Sequence, residues 1–189
     1  MLANGSEGKR LGESTDMSTS LYDLSVANYL QTVTAVAGYL DKGLAFCSEK
    51  NIDPSEIVES RMVADMLPFR FQVVSVAHHS LGAVEGLKKG VFAPPGQTSP
   101  LDYRALQKLI ADTLEALQRV SPAEINALKG RDVTFQMRDR QIPFTAENFV
   151  LSFSLPNFYF HATTAYDILR SKGVPLGKRD FLGRLRLKN

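Results

Sequence analysis

The sequence predicts an all-α fold: one domain of four long helices, with a small β-hairpin between the third and fourth. Three observations predict it. Apolar residues recur at three- and four-residue steps over several long stretches, which is the period of an amphipathic helix. The breaks between those stretches are short and marked by Pro, Gly and capping residues. Strict apolar/polar alternation appears only near residues 132–144.

The first helix is read from Ser20 to Lys50, where Tyr22, Val26, Tyr29, Val33, Val36, Leu40, Leu44 and Cys47 form one stripe. A helix of roughly thirty residues is about 45 Å long and needs partners of similar length along that stripe. Asn51-Ile-Asp-Pro54 stops it, and Pro54 opens one short helical turn. The second helix is placed with Asp65 as N-cap and Pro68 in its first turn, and it runs to Lys89-Gly90. The segment GVFAPPGQTSP is read as a loop.

Ser99-Pro100 supplies a capping hydroxyl and an N1 proline for the third helix, which ends near Val120. A short helix or turn spans Pro122 to Gly130. The segments from Asp132 to Met137 and from Arg140 to Phe144 flank Arg138-Asp139 and form the hairpin. Thr145 caps the fourth helix, which stops at Lys172-Gly173. Its middle is apolar almost all round, so it is expected to be the most buried helix, with a kink at Pro156.

Length and composition fit a single globular domain: 189 residues, 44% hydrophobic and 22% charged. Residues 1–17 read as a disordered leader and 18–189 as the folded domain with a basic C-terminal tail. The leader has no apolar core of the kind a signal peptide needs. No apolar run approaches the ~18 residues of a membrane span. Membrane insertion is therefore not expected, and the cytoplasm is the expected address. One cysteine, Cys47, cannot form an internal disulfide and sits in an apolar stripe as a small core residue.

The net charge of +2 is unevenly placed. Residues 170–189 carry +6 and the remainder −4. The basic tail lacks the interleaved aromatics of a nucleic-acid platform and is read as a solvated segment.

In the fourth helix Ser154, Asn157, His161 and Thr164 stand three, four and three residues apart and share one face. Such a polar seam either consists of satisfied buried groups or lines a pocket between helices. The chain has three histidines, His78, His79 and His161. Adjacent helical residues point about 100° apart, so a metal site takes one of the pair with His161. His78 is placed on an inward flank, with His79 as its substitute on a side shared with Gln72, Ser75 and Gly82. Phosphate loops, HExxH, a nucleophile elbow and CxxC do not occur.

The run Leu155-Pro-Asn-Phe-Tyr-Phe-His-Ala-Thr-Thr-Ala-Tyr166, followed by Gly177-Lys-Arg-Asp-Phe-Leu-Gly183, resembles the signature of an uncharacterised family. That family is a domain of unknown function among the DinB/YfiT-like helical bundles. Ser20-Leu-Tyr-Asp and Arg61-Met-Val-Ala-Asp-Met-Leu-Pro68 resemble it too. The resemblance implies a DinB-like four-helix bundle, commonly dimeric. It further implies a divalent metal (Zn, Ni, Mn or Fe) held by one histidine of the second helix and an HxxxH pair on the fourth. Asn157 and His161 fill that HxxxH slot, so its first position carries a weaker ligand.

Three function classes follow: a small-molecule-binding module using Ser154, Asn157, His161 and Thr164; a metal-dependent enzyme of DinB or thiol-transferase type; or a homodimeric interaction protein without catalysis.

Overall fold

The computed structural model describes residues 19–96 and 100–188. The expected leader, and Ser99 as a helix cap, lie outside the described residues. Among the described residues the chain is mostly helical, with one small three-stranded sheet.

The first helical stretch is broken once, into α1 (Leu21–Leu24) and α2 (Val26–Lys50). Ser20 caps α1 by accepting from the Asp23 N–H. The break falls at Ser25, whose hydroxyl is buried and donates back to the Leu21 carbonyl at 2.6 Å. A serine that serves the carbonyl four residues earlier competes with the helical ladder and bends it. Asn51 ends α2 in the left-handed conformation, φ 54°, and the next N–H closes on the Cys47 carbonyl at 2.9 Å. α3 (Pro54–Val58) follows, with Asp53 as its cap.

The second helical stretch begins at Phe69 rather than Asp65. Pro68 is its N-cap, and the segment before it is turn and bend. The 2.8 Å bond from the Phe69 N–H to the Ser60 carbonyl fixes that start. The stretch is α4 (Phe69–Ala77), a π-helical segment (His78–Gly82) and α5 (Ala83–Lys89). Val91–Phe92, expected in a loop, forms strand β1. Two residues are too few for a period to show in a sequence.

α6 (Tyr103–Gln118) starts at a cap on Asp102, which accepts from the Ala105 N–H at 2.7 Å. α7 (Pro122–Asn126) follows. Strands β2 (Asp132–Met137) and β3 (Arg140–Thr145) form the expected hairpin, with Phe135 opposite Ile142. β1 adds to β2 in parallel, Phe92 opposite Phe135, and turns the hairpin into a sheet of order β1-β2-β3.

The fourth stretch is α8 (Ala146–Asn148), a second π-helical segment (Phe149–Ser154) and α9 (Leu155–Ser171). Thr145 caps it as expected. The π-helical segment ends just before Pro156, the position where a kink is expected. A wider turn accommodates a residue that has no N–H and whose ring clashes one turn back. The expectation that this helix is the most buried is not met. Leu151, Tyr159 and Phe160 are 48%, 38% and 56% exposed.

The core is continuous and rich in aromatics, with Tyr29, Tyr39, Phe69, Phe149 and Phe158 wholly enclosed. Cys47 is buried in it as expected, and burial pushes its thiol pKa up. The Tyr39 hydroxyl donates to the Ala162 carbonyl at 3.1 Å and that of Tyr103 to the Leu40 carbonyl at 2.9 Å. Each phenol buries a large ring and keeps its O–H satisfied. The basic tail is not free of the bundle. α10 (Lys178–Leu182) packs on α2 through the 2.6 Å Lys42–Asp180 ion pair and on the fourth helical stretch through the Tyr166–Phe181 contact.

Candidate functional site

The polar seam of the fourth helix divides into groups with different partners. Ser154 is fully buried where three helical stretches meet. Its hydroxyl donates to the His79 carbonyl at 2.8 Å, so its single hydrogen is used there. Tyr29, 2.7 Å away, must then be the donor of the second bond. Asn157 donates to the Phe153 carbonyl and Thr164 to the Phe160 carbonyl, both at 2.7 Å. These bonds run back along the same helix and satisfy each side chain locally. His161, like Ser154, bonds a side chain of another helix, through Nδ1 at 2.8 Å from Gln72 Oε1.

The π-helical segment His78–Gly82 sets the histidine geometry. Its wider turn brings consecutive side chains closer in direction than an α-helix would, and the His78 and His79 rings are 5.4 Å apart. The ring facing His161 is that of His79, with centroids 5.7 Å apart and planes within 19°. His79 is buried, while His78 is half-buried and packs on Phe92 at 4.5 Å with the rings tilted by 33°. The order expected for the pair is therefore reversed. The side that His79 shares with Gln72 and Ser75 looks polar in the sequence but is packed inward, because this stretch is covered by both α6 and α9.

Aromatic rings enclose the cluster. Phe71 and Phe160 pack edge-on to His161 at 5.8 and 5.2 Å, and Phe153 lies 5.9 Å from His79. Burial pushes the His79 pKa down to about 3, helped by the neighbouring His78 and His161. Burial, then His78, takes His161 down to about 4. Burial also lowers His78. All three imidazoles are therefore neutral at pH 7. His79 Nδ1 and His78 Nε2 are enclosed without a hydrogen-bond partner among the described residues.

Gln72 is the site residue the sequence did not single out. It is 2% exposed, and its Nε2 donates to the Leu67 carbonyl at 2.8 Å. A carbonyl can only accept, which fixes the amide and leaves Oε1 facing His161. Nδ1 of His161 must then carry the proton, and Nε2 holds a lone pair. The visible signal was a glutamine set between Phe69, Val73 and Val76 in an apolar stripe.

A resident divalent metal of the kind the resemblance implies needs three protein ligands and one open position. Among the described residues no three His, Cys, Asp or Glu side chains are gathered so as to hold an ion. The residues present do not fit a three-ligand centre.

Comparison with known proteins agrees with this scaffold. The model of a family described as a domain of unknown function (DUF1993) matches residues 21–182. The fold is similar to the crystal structure of a DinB family member protein from Shewanella denitrificans, with a TM-score of 0.74 and 27% identity. That match covers 89% of this chain and 95% of the other. No curated protein matches the chain. No helix among the described residues is long and apolar enough to cross a membrane.

Proposed function

The chain belongs to the DUF1993 family of domains of unknown function, and from that premise we propose that it is a four-helix bundle of DinB type that binds a small molecule at the His79–His161 pair. The observation that supports this reading most is the fixed tautomer of His161. Gln72 holds Nδ1–H, so Nε2 is a ready acceptor on a neutral imidazole. Phe71 and Phe160 stand against His161, and Phe153 against its partner His79. A neutral acceptor in an aromatic wall suits a ligand with one hydrogen-bond donor on an apolar, flat body. Asn157, half-buried one turn before His161, borders the same seam.

Phenol and anisole test the reading, since they share the ring and differ in the donor. In two-dimensional NMR titrations, phenol should give saturable shifts around residues 71–79 and 157–161, and anisole should not. His161→Ala should abolish the phenol response while the fold persists. Equal responses to the two probes, or an unchanged response in His161→Ala, sink the proposal. The metal-dependent alternative is separable by metal analysis of untagged protein after loading with Zn, Ni, Mn or Fe. It requires close to one equivalent bound.

A homodimer is part of the same proposal and has its own support. Leu151, Tyr159 and Phe160 leave apolar surface open on one helical stretch, and such surface marks interaction sites. Sedimentation analysis of the parent against Phe160→Glu reads it directly: loss of a dimer supports the contact, and a monomeric parent removes it. A cytoplasmic address remains part of the reading, supported by the lone buried thiol.

A further inference from the structure

A second cleft lies on the outer side of the first helix, away from the histidines, with a volume of about 310 Å³. Its floor is apolar, formed by Tyr22, Ala27 and Leu30, and its rim carries Arg184 and Arg186. The segment that brings the two arginines there is held by two hydrogen bonds and runs close to the first helix at Gly183. Gln31 donates through Nε2 to the Leu182 carbonyl at 2.9 Å. Gly183 takes φ +61°, where an added Cβ would lie 3.3 Å from the Cβ of Ala35. Arg186 donates to Asn28 Oδ1 at 2.6 Å.

Arg184 and Arg186, two residues apart in a non-helical segment, both reach the same cleft, while Leu185 between them is 53% exposed. Neither guanidinium takes part in any ion pair among the described residues. The cleft's remaining polar lining, Gln31 and Thr34, is uncharged, and Thr34 spends its hydroxyl on the Leu30 carbonyl. Two uncompensated guanidiniums above an apolar floor match a ligand with an anionic head and a short apolar body. Guanidinium forks pair bidentately with the oxygens of carboxylates and phosphates.

We propose that this cleft binds an amphipathic organic anion, its phosphate or carboxylate head held by Arg184 and Arg186 and its apolar chain on Tyr22, Ala27 and Leu30. The site is independent of the histidine pair and stands or falls apart from it.

Titration calorimetry with octyl phosphate below its micellar concentration tests it on the full chain. One saturable site is expected, with octanol and inorganic phosphate each binding far more weakly. Arg184→Gln with Arg186→Gln should weaken binding at least about tenfold, the scale of one lost charge-assisted hydrogen bond. Thr34→Glu, which sets a carboxylate in the exposed cleft without touching the tail, should do the same. Absence of saturable binding, octanol binding as tightly as octyl phosphate, or parent-like binding in both variants overturns the proposal. Cosedimentation with phosphatidate-containing vesicles distinguishes the source of the head. Vesicle binding that octyl phosphate displaces assigns it to a lipid. No vesicle binding, or binding that octyl phosphate leaves untouched, assigns it to a soluble ester.

Discussion

The hydroxyl of Ser154 lies 2.7 Å from that of Tyr29 and donates to the His79 carbonyl, so one small side chain joins the first, second and fourth helical stretches inside the core. Ser154→Ala leaves Tyr29 and the carbonyl without this partner in a fully buried place. The expected loss is about 1–3 kcal/mol, the penalty for stranding buried polar groups. Tyr29→Phe in the same background should recover part of it, because it removes one stranded group. Urea unfolding of the two single variants and the double variant measures the coupling.

Gln72 and His161 give a spectroscopic prediction. Gln72→Glu sets a carboxylate against Nδ1 and stabilises the charged imidazole, so the His161 pKa should rise well above its parent value of about 4. Gln72→Leu removes the acceptor and should release the tautomer. Nitrogen-15 shifts of the imidazole across a pH titration read both changes. An unmoved His161 in Gln72→Glu would show that the amide does not set its state.

The histidine pair also dictates an acid limb of stability. In the unfolded chain both imidazoles titrate near 6.5, whereas in the fold His161 titrates near 4 and His79 near 3. Between those values the unfolded state binds more protons, so stability falls as pH falls. The full contribution is present above about pH 6.5 and is lost progressively down to about pH 4, then to about pH 3 for His79. His79→Phe with His161→Phe should flatten that limb in denaturant midpoints measured from pH 7 to 4, whatever their effect at pH 7.

Gly183 offers a local prediction. With φ +61° and 3.3 Å from its added Cβ to the Cβ of Ala35, Gly183→Ala meets both backbone strain and a tight contact. A strain of roughly 1–3 kcal/mol should loosen residues 183–187 without melting the bundle. Amide exchange should quicken there and remain unchanged in α6. A global loss of protection would mean that the tail is integral to the core.

Much of the fold was readable because the apolar residues of long helices recur at one period. The stripe from Tyr22 to Cys47, the cap at Thr145 and the Arg138-Asp139 turn were all legible. What escaped depended on tertiary partners. Pro68 rather than Asp65 begins its helix because Phe69 bonds Ser60. β1 exists because β2 offers it an edge. The polar seam was visible as a spacing, but whether each member was spent or available was not. Asn157 and Thr164 bond within their own helix, whereas His161 answers to Gln72, 89 residues away in the chain. The order of His78 and His79 escaped because the polar face of Gln72 and Ser75, which His79 shares, is covered by two other helices.

The two π-helical segments, His78–Gly82 and Phe149–Ser154, have a consequence for how this chain tolerates changes of length. Each closes its hydrogen-bonded rings over five residues rather than four. Each therefore holds one residue more than the regular helix needs. Removing that residue lets the segment relax into an ordinary helix, whereas a deletion elsewhere in the same stretches would turn every later side chain by about 100°. The bundle thus has two places where it can shorten by a codon and keep its core in register. Both lie beside the histidines, so such a deletion would preserve the scaffold and redirect the rings it displays.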